Sequence, residues 1–233
     1  MHRALGAEED DEAFTPELFS MLYQRSMYQS MRALAKRTFQ LARAHAKDIP
    51  ALAEVLDYEG EVIERYKGLL AGKMDARRIR AHGDYHLGQV LWTGKDFMII
   101  DFEGEPARSL GERRIKRSPL RDVAGMIRSF HYAAFSGLIG QTSGFSLRPE
   151  DRAAMEPWLG VWYRWVSAAF LAEYWDASAD GGFLPGGRDE PQVLLDVFLL
   201  EKALYELSYE INNRPDWIDI PLRGIHELLE AGD

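Results

Sequence analysis

Three polar side chains bracket two short β-prone runs in the first half of the chain. Asp84 and Gln89 lie just before the run 90–92, and Asp101 follows the run 97–100. Two such runs around a polar, glycine-containing turn predict a β-hairpin, which returns its two ends to the same place. We therefore expect Asp84, Gln89 and Asp101 to converge at the open end of this hairpin.

Carboxylate and amide groups in this arrangement suit phosphoryl transfer. One carboxylate can orient or deprotonate an attacking hydroxyl group, and the remaining oxygens are ligands that Mg²⁺ accepts. The order His-x-Asp, then Asn or Gln, a hairpin and Asp-Phe is that of the catalytic and metal-binding loops of kinase-fold enzymes. Asp84 or Asp101 alone could be an ordinary turn residue, whereas the whole pattern in this order favours phosphoryl transfer.

The segment 82–86 also permits a metal-dependent hydrolase, because His82, Asp84 and His86 alternate along it. Three ligands this close in sequence rarely complete a metal site, and the other histidines lie in no ligand-like motif. Zinc stoichiometry would distinguish this alternative from a kinase.

Helical patterns surround the hairpin. Apolar residues recur at helical spacing over residues 15–46, with Thr15 as the expected N-cap, and again over residues 51–70. The short break between these segments predicts an antiparallel helical pair. Further helical stripes follow residue 119, and the basic run 111–117 is expected to be a loop that is either solvated or attracts phosphate.

The predicted fold class is therefore mainly α with a small β-hairpin. We expect a single domain, 1–233, made of a helical pair (1–75), the catalytic and metal-binding hairpin (76–105) and a helical subdomain (106–233).

Composition narrows the possible partners of the protein. The chain has 233 residues, a net charge of -9 and 46% hydrophobic residues, which is enough apolar material for a packed core. Its acidity argues against a general nucleic-acid partner, and the absence of cysteine excludes disulfides and thiolate metal sites. No apolar run approaches the ~20 residues that span a bilayer, and the acidic N-terminus is unlike a signal peptide. We expect a soluble cytoplasmic protein with no membrane partner.

Several segments resemble the maltokinases, relatives of the aminoglycoside phosphotransferases and choline kinases, and the kinase region of trehalose synthase–maltokinase fusions. The resemblance runs through nearly the whole chain and is carried by FSMLYQRSMYQSMRAL, HGDYHLGQVLW, IDFEGEP, RSPLRDVAGM and LLEKALYELSYEINNRPDWIDIPL. It implies ATP-dependent phosphorylation of maltose to maltose 1-phosphate for glycogen-type α-glucan synthesis, with ATP and Mg²⁺ as cofactors.

The resemblance also implies roles for single residues. Asp84 matches the catalytic base, Gln89 and Asp101 match the Mg²⁺ ligands, and Glu103 would add a ligand or a substrate contact. His82 matches the histidine that braces the catalytic loop.

Support for that loop is also expected from Asp122, which resembles a buried aspartate that holds the loop through backbone hydrogen bonds. The candidate substrate contacts are Tyr85, His86, Arg108, Trp175 and Tyr205. The aromatic residues among them could equally be core residues at helical spacing, and His86 could equally be a surface residue.

One part of the resembled family is not visible in the sequence. No strand series, Gly-rich loop or nucleotide-clamping lysine precedes Asp84. The resemblance therefore implies a protein-kinase-like C-terminal lobe with the N-lobe absent, and doubtful activity for this lobe alone. Two alternatives stay open: a non-catalytic kinase-like module that associates with trehalose synthase, or a small-molecule kinase for another sugar, an aminoglycoside or choline.

Overall fold

The computed structural model describes residues 1–7, 11–105, 109–139 and 148–230, and helices make up most of these ranges. The first half contains α1 (His2–Leu5), β1 (Glu17–Leu18), α2 (Met21–His45), α3 (Leu52–Val55), α4 (Glu59–Lys67), β2 (Arg77–Arg78), β3 (Val90–Trp92) and β4 (Phe97–Ile99). The second half contains α5 (Leu110–Arg114), α6 (Leu120–Ile139), α7 (Arg152–Ser178), α8 (Glu190–Asn213) and α9 (Asp219–Glu230). The prediction of a mainly α fold with a small hairpin is confirmed.

The first long helix begins later than predicted. Thr15 is not its N-cap; instead the Ser20 hydroxyl accepts a hydrogen bond from the Tyr23 amide (3.2 Å), which satisfies one of the free donors of the first turn. The preceding residues form β1, which pairs antiparallel with β2, and the Phe19 amide donates to the Ala76 carbonyl (3.0 Å). This second sheet was missed because the pairing joins segments about sixty residues apart, which no local pattern encodes.

The second predicted helix is interrupted. Residues 51–70 fold as α3, a 3₁₀ turn (Leu56–Tyr58), α4 and a second 3₁₀ turn (Gly68–Leu70), and α4 packs against α2. Buried Gln24 ties the end of this segment to α2. Its side-chain amide donates to the carbonyls of Leu69 and Gly72 (2.8 Å each) and accepts from the Met74 amide (3.2 Å).

The hairpin forms where it was predicted. β3 and β4 pair antiparallel with Val90 opposite Ile99 and Trp92 opposite Phe97. The Ile100 amide donates to the Gln89 carbonyl (3.0 Å), so the pairing continues one step past the strands and brings Gln89 beside Asp101.

The larger hydrophobic core lies among the helices, and α8 packs against α2, α6 and α9 within it. Its members run from Phe19 near the first strand to Leu229 in α9. A smaller cluster is formed by Ala134, Phe135 and Ile220. The hairpin lies outside the larger core, with Trp92 60% and Phe97 66% exposed. The helices therefore form a packed base, and the hairpin projects from it.

A charged cluster is buried between the last helices. Arg128 of α6 is 1% exposed, and its Nε donates to Glu206 Oε2 on α8 (2.9 Å). One turn further along α6, His131 Nε2 lies 3.4 Å from Glu227 Oε2 on α9. Burial and the neighbouring Arg128 lower the pKa of His131 to about 4, so this histidine is neutral in the folded protein.

Two further features complete the fold. The run 111–117, expected as a loop, begins as the short helix α5, because Ser109 and Glu112 form a reciprocal capping box at its start.

Within the described ranges, the helices lack the combination of length and apolar character that crossing a membrane requires.

Candidate active site

The Asp122 side chain, on α6, binds main-chain amides of the predicted catalytic loop. Its Oδ2 accepts from the His82 amide (2.7 Å) and its Oδ1 accepts from the Gly83 amide (2.9 Å). Burial alone would raise the pKa of Asp122, but hydrogen bonds from His2, Gly83 and His82 outweigh it and lower the pKa. The carboxylate is therefore charged, and it fixes the loop just before Asp84.

His82 joins this loop to the end of the hairpin. Its Nε2 donates to the Ile100 carbonyl (2.8 Å), and its Nδ1 accepts from the Asp84 amide (3.3 Å). The ring is 1% exposed and uses both nitrogens, so it is not available to take a proton from a substrate. These contacts suit the predicted bracing role.

Glycine residues allow the loop to approach its neighbours closely. Gly83 has a φ of 89°, and a Cβ added to it would lie 3.1 Å from the Cα of Gly104. A Cβ on Gly125 of α6 would lie only 2.7 Å from the Tyr85 carbonyl oxygen. The loop therefore rests directly on the backbone of α6.

The Gln89 and Asp101 side chains meet at the open end of the hairpin. Gln89 Nε2 donates to Asp101 Oδ2 (2.9 Å), and Asp101 is exposed to solvent. Its φ of 63° makes Asp101 the one non-glycine residue with positive φ in the described ranges, a strain that clusters at functional sites. Glu103 lies two residues further on and is also exposed.

These groups suit Mg²⁺ better than a metal held entirely by protein. The described ranges contain no group of three or more His, Cys, Asp or Glu side chains placed to hold a metal ion. Mg²⁺ is commonly held by one or two carboxylates together with water and substrate phosphates. The exposed Asp101 carboxylate and the Gln89 amide oxygen match that limited requirement.

Asp84 lies in a cleft of about 510 Å³ between the catalytic loop and α8. Burial and the nearby Glu105 raise the pKa of Asp84, while Lys202, His86 and His82 act in the opposite direction. A raised pKa in a cleft is typical of a carboxylate that exchanges protons with a substrate.

The structure brings only some of the candidate substrate contacts to this cleft. Tyr85 and Tyr205 line it, and His86 Nε2 lies 3.9 Å from Asp84 Oδ2. Trp175 is not among the lining residues; it packs on the hydrophobic core beside Tyr174 (ring centroids 5.5 Å apart). Arg108 lies outside the described residues.

Tyr205 was a candidate from the sequence, whereas sequence reasoning missed Glu105, Glu201 and Lys202 in the same cleft. The Tyr205 hydroxyl donates to Glu105 Oε1 (3.2 Å), and Lys202 precedes Tyr205 by one helical turn on α8. Glu201 also lines the cleft and is paired with Arg121 (2.7 Å). The three-residue spacing of Lys202 and Tyr205 was the available signal, since side chains at that spacing share a helix face.

Comparison with known proteins finds glucosamine kinases among the proteins that this chain is similar to. No protein-family model matches the sequence. The chain is similar to the glucosamine kinase of Mycolicibacterium smegmatis, with 26% identity over 205 residues, 87% of this chain and 47% of that protein. The glucosamine kinase of Streptacidiphilus jiangxiensis is 25% identical over 186 residues, 77% of this chain and 40% of that protein.

Solved structures agree in fold. A glucosamine kinase in complex with glucosamine, ADP and inorganic phosphate matches with a TM-score of 0.76 and 21% identity, over 99% of this chain and 52% of that chain. A second crystal form of glucosamine kinase matches with a TM-score of 0.74 and 21% identity, over 98% of this chain and 49% of that chain. The chain spans about half the length of the relatives it matches.

The maltokinase prediction is therefore wrong. The relatives found by sequence and by structure are glucosamine kinases. Maltose as the acceptor and trehalose synthase as a partner were implied only by the maltokinase resemblance, so neither is supported. The alternative of a small-molecule kinase for another sugar fits these relatives better. The chain shares its fold with the matched half of glucosamine kinase.

Proposed function

We propose that this chain carries the catalytic base and the acceptor cleft of an ATP-dependent kinase for an amino sugar such as glucosamine. The observation that carries the proposal is Asp84, a carboxylate of raised pKa that lies in a cleft beside a second carboxylate, Glu105. The kinship with glucosamine kinases supports the reaction class and the type of acceptor.

In the proposed reaction, Asp84 accepts the proton of the sugar hydroxyl group. The hydroxyl oxygen forms a bond to the γ-phosphorus of ATP as the bond from that phosphorus to the β–γ bridging oxygen breaks, which releases ADP. A raised pKa brings the Asp84 carboxyl closer to neutral pH and makes it a better proton acceptor than an ordinary aspartate.

Asp101 and Gln89 would hold Mg²⁺, and Glu103 remains a candidate for a further ligand or a substrate contact. A bound Mg²⁺ supplies positive charge to the phosphate oxygens. The protein's own contribution is to hold Asp101 next to Gln89 through the hairpin pairing and to hold Asp84 through the Asp122 and His82 contacts.

The charge of the cleft supports a cationic acceptor. The cleft is lined by five carboxylates (Asp84, Glu105, Glu112, Asp122 and Glu201) and by three cations (Arg37, Arg121 and Lys202). Glu201 is paired with Arg121, whereas Glu105 accepts a hydrogen bond from Tyr205 and raises the pKa of Asp84, an effect that Lys202 offsets only in part. An ammonium group on the sugar would relieve this repulsion between two carboxylates. An uncharged sugar of the same shape would not.

ADP release with glucosamine, glucose and N-acetylglucosamine tests the proposal, because these sugars differ mainly at one substituent. We expect activity with glucosamine that exceeds activity with the two uncharged sugars. The Asp84→Asn variant should lose at least about 100-fold in kcat, the scale of a positioned general base. Equal ADP release by wild type and Asp84→Asn, or none above buffer with any of the sugars, would contradict the proposal.

A further inference from the structure

The first helix reaches the residue that holds the catalytic loop. His2 of α1 is 5% exposed. Its Nε2 lies 2.9 Å from Asp122 Oδ2, and its Nδ1 lies 3.0 Å from the Tyr174 hydroxyl on α7. The ring also makes an edge contact with Phe183 (centroids 6.5 Å apart).

The direction of the hydrogen bond between His2 and Asp122 follows from the chemistry of the carboxylate. The Asp122 carboxylate can only accept, so the Nε2 of His2 donates to it. Burial raises the pKa of Tyr174, so its hydroxyl keeps its proton, and it lies within hydrogen-bonding distance of Nδ1. His2 therefore bridges Tyr174 and Asp122, and the same carboxylate accepts from the amides of the catalytic loop.

Asp122 Oδ2 is shared between two donors, His2 Nε2 and the His82 amide. If the imidazole is removed, the buried Asp122 carboxylate keeps its hydrogen bonds from the His82 and Gly83 amides. It loses the one side-chain donor that it has among the described residues. A buried carboxylate that lacks a donor rotates or recruits water to recover one. Either change moves the acceptor of the Gly83 amide, and Asp84 is the next residue.

We propose that His2 is a positioning residue, which fixes the Asp122 carboxylate and through it the main chain of the catalytic loop at Gly83 and Asp84. The N-terminal segment thereby sets the geometry of the proposed base without touching the cleft. The kinetic part of the test rests on the proposed function, whereas the structural part does not.

A small cavity makes a rescue experiment possible. A space of about 190 Å³ is lined by His2, Tyr85, Ile99 and Tyr174, among others. It gives small molecules a route to the place that the imidazole ring would leave in a truncated variant. Free imidazole can offer the same donor and acceptor pair.

The structural test is amide hydrogen exchange in the full chain, followed by NMR. In His2→Ala we expect the His82 and Gly83 amides to exchange about tenfold faster, the scale of one lost hydrogen bond. The core amide of Leu204 should keep its rate, because the helical base is unchanged. His2→Gln retains a side-chain donor and should exchange like wild type, and His45→Ala on α2 is the matched control.

The kinetic test is the split between kcat and KM. His2→Ala should lower kcat by about 10- to 100-fold with the sugar KM unchanged, and millimolar imidazole should restore part of kcat. Unaltered loop exchange in His2→Ala, or an equal acceleration at Leu204, would overturn the inference. If wild type has no kinase activity, the proposed function fails, while the exchange data still decide the role of His2.

Discussion

The side-chain amide of Gln89 donates a hydrogen bond to the Asp101 carboxylate across 2.9 Å, although the two residues are twelve positions apart in the chain. The contact exists because the Ile100 amide pairs with the Gln89 carbonyl one step beyond the strands. The hairpin thus brings the two candidate Mg²⁺ ligands together, and its exposed tip can vary without separating them.

Asp101→Asn should weaken Mg²⁺–ATP binding by at least about tenfold, because a neutral amide replaces the carboxylate that would hold the cation. Asparagine tolerates positive φ, so the strained backbone at this position should be kept. Calorimetric titration with Mg²⁺–ATP measures the effect. Asp96→Asn, in the turn at the other end of the hairpin, is the control, and equal affinities for the two variants would exclude Asp101 as a ligand.

The pH dependence of activity should report on Asp84. Burial and Glu105 raise the pKa of Asp84 above the 3.8 of an ordinary aspartate. Because a base acts only when it is deprotonated, kcat/KM should begin to fall at a higher pH than an ordinary aspartate would give as the solution is acidified. Glu105→Gln removes the repelling charge and should move this acid limb to lower pH. The profile is measured at saturating Mg²⁺–ATP, with Glu64→Gln on the surface of α4 as the control. An acid limb at the same pH in all three proteins would show that another group limits the rate.

Gly125→Ala should reduce kcat by about 10- to 100-fold, because the new methyl group collides with the Tyr85 carbonyl and shifts the loop that carries Asp84. Gly60→Ala is a matched control, since a Cβ at that helical position in α4 meets nothing within 4 Å. The control should keep full activity and gain about 0.5–1 kcal/mol of stability. Comparable activity of the two variants would refute the close packing of the loop on α6.

His131 should make the fold sensitive to acid. Its pKa falls from 6.5 to about 4 on folding, so between these values the unfolded chain binds a proton that the folded protein does not. Stability from this group is fully present above pH 6.5 and declines toward pH 4, by up to roughly 3 kcal/mol in total. Urea unfolding at pH 7 and pH 5 measures the loss.

His131→Gln should lose less stability between these two pH values than wild type, even if it is less stable at both. His45→Gln, which changes a histidine on α2, should keep the wild-type difference. A difference equally large in His131→Gln and wild type would assign the acid sensitivity to other groups.

Local signals located the hairpin and most helices, because each depends on neighbours in the chain. The β3–β4 pairing needs only a four-residue turn, and the stripe through Met27 and Met31 predicts the buried face of α2. The start of α2 could not be found in this way, since the β1–β2 pairing with a distant segment competes with the Thr15-Pro16 helix signal.

By itself, the sequence determined the order of chemical groups: Asp84, Gln89, a hairpin and Asp101. Only the tertiary structure decided which other side chains surround them. Glu105, Lys202 and Tyr205 join Asp84 in one cleft, and His2 reaches Asp122 across 120 residues. Contacts of this kind depend on how whole helices pack together, and helix packing is set by the summed burial of many apolar side chains rather than by any short motif.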